Sequence, residues 1–200
     1  MKETSMKLKK LSGVVIAFVT LTSASYAATP GAYWGAGVGY SKLDNFSDAT
    51  ATTNGGVGGM LLAGYNFNKF FGLEAGYRMN AKTTYKFDEN NDSTFSYNSN
   101  AFTLAAKGYL PLDNSPFDLY GLVGVARVHG EGGIELPNGQ AISPTDAILA
   151  LAGVGINYQL NSKITFGLEY SRTGSKNGSG DHIGIPASNL TALTMNYHLG

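Results

Sequence analysis

From residue 33 to the end of the chain, apolar and polar side chains change places at almost every step. In Ile164-Thr165-Phe166-Gly167-Leu168-Glu169-Tyr170-Ser171, one side carries Ile164, Phe166, Leu168 and Tyr170, and the other Thr165, Gly167, Glu169 and Ser171. A period of two sends successive side chains to opposite sides of a strand, so this segment has one apolar and one polar face. The same pattern predicts strands near 33–43, 57–67, 70–80, 101–111, 118–128, 147–160, 163–173 and 190–199. In the third, Leu73, Ala75, Tyr77 and Met79 oppose Glu74, Gly76 and Arg78. In the fourth, Phe102, Leu104 and Ala106 oppose Thr103, Ala105 and Lys107. The sixth sets Ala152, Val154, Ile156 and Tyr158 against Gly153, Gly155 and Asn157, and the eighth sets Leu193, Met195 and Tyr197 against Thr194, Asn196 and His198. The fifth is apolar on both sides, with Tyr120, Leu122 and Val128 opposite Leu119, Val123 and Val125, and alternation leaves its register open.

The connections alternate as well. Links around Asn68-Lys69 and Asn161-Ser162, and from Pro111 to Phe117, are short; 44–56, 81–100, 129–146 and 174–189 are long and rich in Asn, Ser, Asp, Gly and Thr. Strict alternation of short and long links places all tight turns at one end of an up-and-down sheet and all long loops at the other. The predicted fold is all-β, an eight-stranded antiparallel up-and-down barrel.

Such a barrel either turns its apolar face inward and lives in water, or turns it outward and lives in lipid. Composition decides between them. Charged residues are 14% of the chain, against roughly a quarter in an average soluble domain, while glycine is 27 of 200 and aromatics 12%. The polar faces hold Gly, Ser, Thr, Ala and Asn with isolated charges at Glu74, Arg78, Lys107 and Glu169. That suits an eight-stranded interior, which is just wide enough for side chains to fill it. Tyr40, Tyr65, Phe67, Phe71, Tyr77, Tyr109, Tyr158, Tyr170 and Tyr197 lie towards strand ends, where aromatic girdles meet membrane interfaces. The expected structure is a transmembrane barrel with its apolar face in lipid.

The first residues agree with export. Lys2, Lys7, Lys9 and Lys10 precede an apolar stretch from Leu11 to Leu21 and then Ser23-Ala24-Ser25-Tyr26-Ala27, the layout of a secretory signal peptide with Ser25 and Ala27 at −3 and −1. The apolar stretch is too short for a membrane helix, which needs about 20 residues. Residues 1–27 are therefore expected to be removed, leaving 28–200 as the barrel domain. The leader holds four lysines and one glutamate, so the mature chain keeps 10 basic and 13 acidic residues, a net charge of −3. Without a basic excess, nucleic acid is not an expected partner.

Several fragments then add up. Gly35-Ala36-x-Val38-Gly39-Tyr40-Ser41, the hairpin Gly64-Tyr65-x-x-Asn68-x-x-x-Gly72-x-Glu74-x-Gly76-Tyr77, Ala106-Lys107 with Pro111, Leu168-Glu169-Tyr170 and the closing Leu193-x-x-x-Tyr197-x-Leu199-Gly200 occur in order. Together they resemble the small eight-stranded outer-membrane barrels of the OmpA transmembrane-domain type, with their OmpX-like and opacity-like relatives, over almost all of 31–200. The resemblance implies residence in the outer membrane of a Gram-negative bacterium and insertion by the barrel-assembly machinery. It also implies surroundings of outer-membrane lipid and lipopolysaccharide, and a luminal charge plug in which a lysine–glutamate switch opens a small pore. Glu74, Lys107 and Glu169 match inward family positions, whereas Asn157 stands where the family has a glutamate and Gly167 where it has an arginine. Lys107 is accordingly expected to pair with Glu74 or Glu169, inside a luminal network of Glu74, Arg78, Lys107, Glu169 and Asn157. The peptidoglycan-binding domain of larger relatives is not expected.

Chemistry is sparse. Some outer-membrane barrels are lipid A deacylases, whose signature places a serine two residues after a histidine, but here His129 is followed by Glu131, His182 by Gly184 and His198 by Gly200. Asp181-His182 with Ser188 keeps a lipid A-modifying enzyme, deacylase or palmitoyltransferase, as the alternative. Gly35-Ala36-Gly37-Val38-Gly39 lacks the helix of a nucleotide loop and reads as small residues on a tight wall. There is no cysteine and no His-Glu-x-x-His, so no metal and no cofactor are expected. The expectation is a non-enzymatic barrel that contributes to envelope integrity, with long loops that contact host or cell-surface ligands; a small gated pore is its variant.

Overall fold

The computed structural model describes residues 28–45, 50–51, 55–88, 91–134, 145–178 and 184–199. The strands are β1 (Gly31–Leu43), β2 (Thr50–Ala51), β3 (Gly56–Asn66), β4 (Phe71–Met79), β5 (Thr83–Asp88), β6 (Asn91–Pro111), β7 (Phe117–Ile134), β8 (Thr145–Gln159), β9 (Ile164–Thr173) and β10 (Ser188–His198). Every pairing is antiparallel, and β6–β7 closes the ring β1-β3-β4-β6-β7-β8-β9-β10. Closure leaves no unpaired edge in the wall, a requirement in hydrocarbon, where a free backbone N–H or C=O finds no water. Strands of 9 to 11 residues such as β4, β9 and β10 match the length that crosses a bilayer.

The faces are inverted relative to a soluble protein. Val38, Phe102, Val123, Val154 and Leu193 stand exposed on the outer wall, while Glu74, Arg78, Lys107 and Glu169 are buried inside. Outward aromatics gather at both ends: Trp34–Tyr197 and Phe117–Tyr158 near the short turns, Tyr77–Phe102 towards the long loops. Tyr109 departs from its expected girdle position and points into the lumen. Its odd-numbered neighbours Lys107 and Ala105 are lumenal too, so it shares their face. The open register of the fifth segment resolves with Tyr120, Leu122, Ala126 and Val128 inside.

Two of the three short turns share one device. Asn68 Oδ1 accepts from the backbone N–H of Phe70 and Phe71 at 2.8 and 3.0 Å, and Asn161 Oδ1 accepts from Lys163 and Ile164, both at 2.9 Å. An asparagine side chain thus stands in for the backbone acceptor of a tight turn.

The long-loop end holds more order than its polar composition indicates. β6 and β7 run 21 and 18 residues and outgrow the bilayer. Above it β5 pairs with the stretch Asn91–Tyr97 of β6, and β2 with β5, so 83–88 and 91–97 extend the sheet where a loop is expected. Hydroxyl-bearing rather than aliphatic side chains predominate in this extension, and Tyr85 and Tyr97 are its buried anchors. Residues 184–187 also fold inward: Ile185 joins the buried cluster of Ala126, Val128, Leu149 and Leu151, and Asp44 N–H donates to the Ala187 carbonyl at 2.8 Å. Three apolar residues in a loop have no period to betray them.

Tight seams make a testable point. A Cβ on Gly39 would sit 1.9 Å from the Thr191 carbonyl oxygen and 2.5 Å from Ala192 Cα, both backbone of β10. Gly39→Ala is expected to destabilise the barrel by about 1–3 kcal/mol, because ladder backbone cannot step aside. Gly121→Ala, whose nearest new neighbour lies at 3.9 Å, should stay within about 0.5 kcal/mol of wild type. Urea unfolding midpoints in lipid vesicles check both.

Candidate functional site

The lumen is where the buried charge lies. Glu74 and Arg78 share the inner face of β4, Lys107 projects from β6 and Glu169 from β9. Each occupies a period-two inward position, and the stagger of the closed ring brings them level. Lys107 Nζ donates to Glu74 Oε2 at 2.9 Å, and Tyr33 OH donates to the same oxygen at 2.9 Å. Arg78 Nη2 donates to Glu169 Oε1 at 2.9 Å and its Nη1 to Ser171 Oγ at 2.7 Å. Tyr120 links the two pairs: its ring lies 4.2 Å from Lys107 Nζ, and its hydroxyl donates to Glu169 Oε2 at 3.0 Å. Asn157 stands apart from them, donating to Asp118 Oδ1 at 2.9 Å nearer the short turns.

Three tyrosines and Asp118 are lumenal neighbours of these charges that alternation alone does not single out. Tyr33 and Tyr120 each lie over an inward glycine on the adjoining strand. A Cβ on Gly64 would meet the Tyr33 ring at 2.4 Å, and one on Gly155 the Tyr120 ring at 2.3 Å. Cross-strand pairing sets Tyr33 opposite Gly64 and Tyr120 opposite Gly155. The large ring fills the space that the missing side chain leaves, so a Tyr and a Gly at matched heights are the signal that would have found them. Tyr109 donates to Asn66 Oδ1 at 3.1 Å and completes the layer. Above it, Met60, Leu62, Leu190 and Ala192 form an apolar layer with Tyr33 on one side of the lumen. Ile185 covers the other side.

A second polar cluster rings the outer end. Arg172 pairs with Asp44 and donates to Asn189 Oδ1 at 2.8 Å, which also accepts from Tyr170 OH at 2.9 Å. His129, above the membrane on β7, contacts Asp146 and Glu131 with its two ring nitrogens, each at 3.1 Å. Those two hydrogen-bonded carboxylates, Asp146 first, hold the imidazole above its ordinary pKa. Lumenal His198 contacts the Thr165 hydroxyl at 3.1 Å. Neither histidine orients a serine among the described residues. Asp181 and His182 lie outside them, as does the leader with Ser25 and Ala27. Among the described residues, no group of three or more His, Cys, Asp or Glu side chains could hold a metal ion.

The fold recurs in known barrels. Neisserial surface protein A superposes with a TM-score of 0.57 at 17% identity, covering 84% of this chain and 97% of its own. OprG of Pseudomonas aeruginosa does so at 0.54 and 16%, covering 87% and 99%. Ail, the attachment invasion locus protein of Yersinia pestis, does so at 0.50 and 16%, covering 84% and 98%. At such identities the likeness is one of fold. No curated protein sequence matches the chain. The model of the outer membrane protein beta-barrel domain matches residues 13–197. With apolar residues facing lipid, charges paired in a closed lumen and a domain match over nearly its whole length, the chain belongs to the outer membrane protein beta-barrel family and resides in the Gram-negative outer membrane.

Proposed function

We propose that this protein is a non-enzymatic, non-conducting barrel that contributes to envelope integrity and presents its extracellular hairpin to host or cell-surface ligands. The filled lumen carries this reading. Glu74, Arg78, Lys107 and Glu169 are each about 5% exposed or less, and Tyr33, Tyr109 and Tyr120 close the gaps between them. An ion crossing that layer would have to break two buried ion pairs at once, at a cost of several kcal/mol each. The network then works as a brace between strands, not as a gate. What remains for recognition is the outer sheet of β2, β5 and the ends of β6 and β7, a paired extension of the wall that can carry binding residues. Lipid and lipopolysaccharide surround the wall, and the barrel-assembly machinery is the proposed partner for insertion.

In planar bilayers, wild type and Lys107→Ala are both expected to be silent. Unit conductance in the wild type would overturn the closed reading, and conductance in Lys107→Ala alone would make Lys107 a gate. Lipid A from cells with and without the protein should give the same mass spectrum; a lost or added acyl chain would restore the enzymatic alternative.

A further inference from the structure

Thr29 ties together two strands on opposite sides of the ring. Its carbonyl oxygen accepts from Asn66 Nδ2 of β3 at 3.0 Å, and its hydroxyl from Gln159 Nε2 of β8 at 2.7 Å. In the closed order β3 and β8 are four places apart in a ring of eight, so residues 28–29 lie across the diameter of the mouth at the short-turn end. Ala28 is buried there, in the same apolar cluster as Tyr109 and Tyr120.

Asp118 occupies the next inward position of β7 below Tyr120 and is 2% exposed. It accepts from Asn157, but among the described residues it has no ion-pair partner: Lys107 is held by Glu74 and Arg78 by Glu169. His198, three strands away on β10, is engaged with Thr165 and stacks near Tyr33. The described interior thus buries the carboxylates of Glu74, Asp118 and Glu169 against the cations of Lys107 and Arg78. A buried carboxylate with no countercharge is costly. One positive charge is wanting, at the end of the lumen where Ala28 sits.

We propose that the chain's own amino terminus supplies it. Cleavage after Ala27 turns the Ala28 amide into an α-amine, which has an ordinary pKa of about 8 and is positive at neutral pH. Buried Ala28, anchored through the half-buried Thr29, holds that ammonium at Asp118. Removal of the leader therefore completes the charge balance of the lumen and plugs its periplasmic mouth; with the leader attached, a neutral peptide group occupies the same place. This rests on the closed lumen and on the cleavage site read from Ser25-Tyr26-Ala27.

The test uses protein purified from outer membranes. Mass spectrometry fixes its first residue, and a start other than Ala28 overturns the proposal. The α-amine-selective reagent 2-pyridinecarboxaldehyde is then applied to folded and urea-unfolded protein. The folded barrel should react about tenfold more slowly or less, as a group reached only through local opening does. Asp118→Asn should recover most of the unfolded rate. Equal rates in folded and unfolded wild type overturn the proposal. Should Asp118→Asn fail to fold, transamination of Ala28 to a pyruvoyl group removes the charge without adding bulk. The refolded product should unfold at lower urea, and an unchanged midpoint overturns the pairing. Bilayer conductance of the wild type reports on the closed lumen separately, so the two readings fail independently.

Discussion

Glu169→Gln is expected to lower the unfolding free energy by about 3–5 kcal/mol, the cost of stripping one partner from a buried ion pair. Glu169 is 1% exposed and both its oxygens are engaged, Oε1 by Arg78 and Oε2 by Tyr120. A glutamine keeps the shape but leaves the Arg78 guanidinium in the lumen with the Ser171 hydroxyl and no countercharge. The double replacement Arg78→Met with Glu169→Leu removes both charges and should recover most of the loss, since an apolar pair of similar volume asks for no compensation. Urea unfolding in vesicles, followed by the gel shift between unheated and boiled samples, measures both. A Glu169→Gln barrel within about 1 kcal/mol of wild type would mean that water, not protein, solvates Arg78.

Leu193→Arg probes the opposite face. Leu193 is 66% exposed and pairs with Val38 and Leu168, midway along the outer wall between the Tyr40–Tyr170 level and the Trp34–Tyr197 level. In a soluble barrel an exposed leucine exchanged for arginine is neutral or helpful. In lipid the same change should cost about 2–4 kcal/mol at the bilayer midplane, because hydrocarbon offers the guanidinium nothing to bind. Thr191→Arg, one outward step nearer the interface, should cost about 1 kcal/mol or less. A depth-dependent penalty is the signature of lipid contact; equal, negligible costs at the two positions would contradict the inverted faces.

The faces of the strands were legible residue by residue. Glu74, Arg78 and Lys107 fall inward because each alternates with an apolar neighbour that lipid retains. The same rule hid others. Tyr109 is a large, apolar-bodied side chain that its place near a strand end assigns to a lipid girdle, and Tyr120 lies on a strand whose two apolar sides alternation cannot tell apart. Their hydroxyls are satisfied within the lumen, by Asn66 and Glu169, and that is visible only once the opposite strands are in place. The pairing of 83–88 with 91–97 is not legible in the sequence, because hydroxyl and amide side chains weaken the apolar alternation there, although Tyr85 and Tyr97 are buried. Ile185 is hidden for another reason: it lies in a short apolar stretch with Pro186 and Ala187 that has no strand period, and only the mouth of the barrel gives it a cluster to join.

The sequence by itself determined the number of wall strands, which side meets lipid in every one but the fifth of them, and which end bears the long connections. All three follow from local alternation and link length, which are properties of neighbouring residues. Only the tertiary structure decided that Lys107 meets Glu74, that Arg78 meets Glu169 from 91 positions away, and that Thr29 bridges β3 to β8. Alternation tells whether a side chain points inward but carries no information about its height along the barrel. Height is set by the stagger at which eight strands close into a ring, a condition on the whole wall at once.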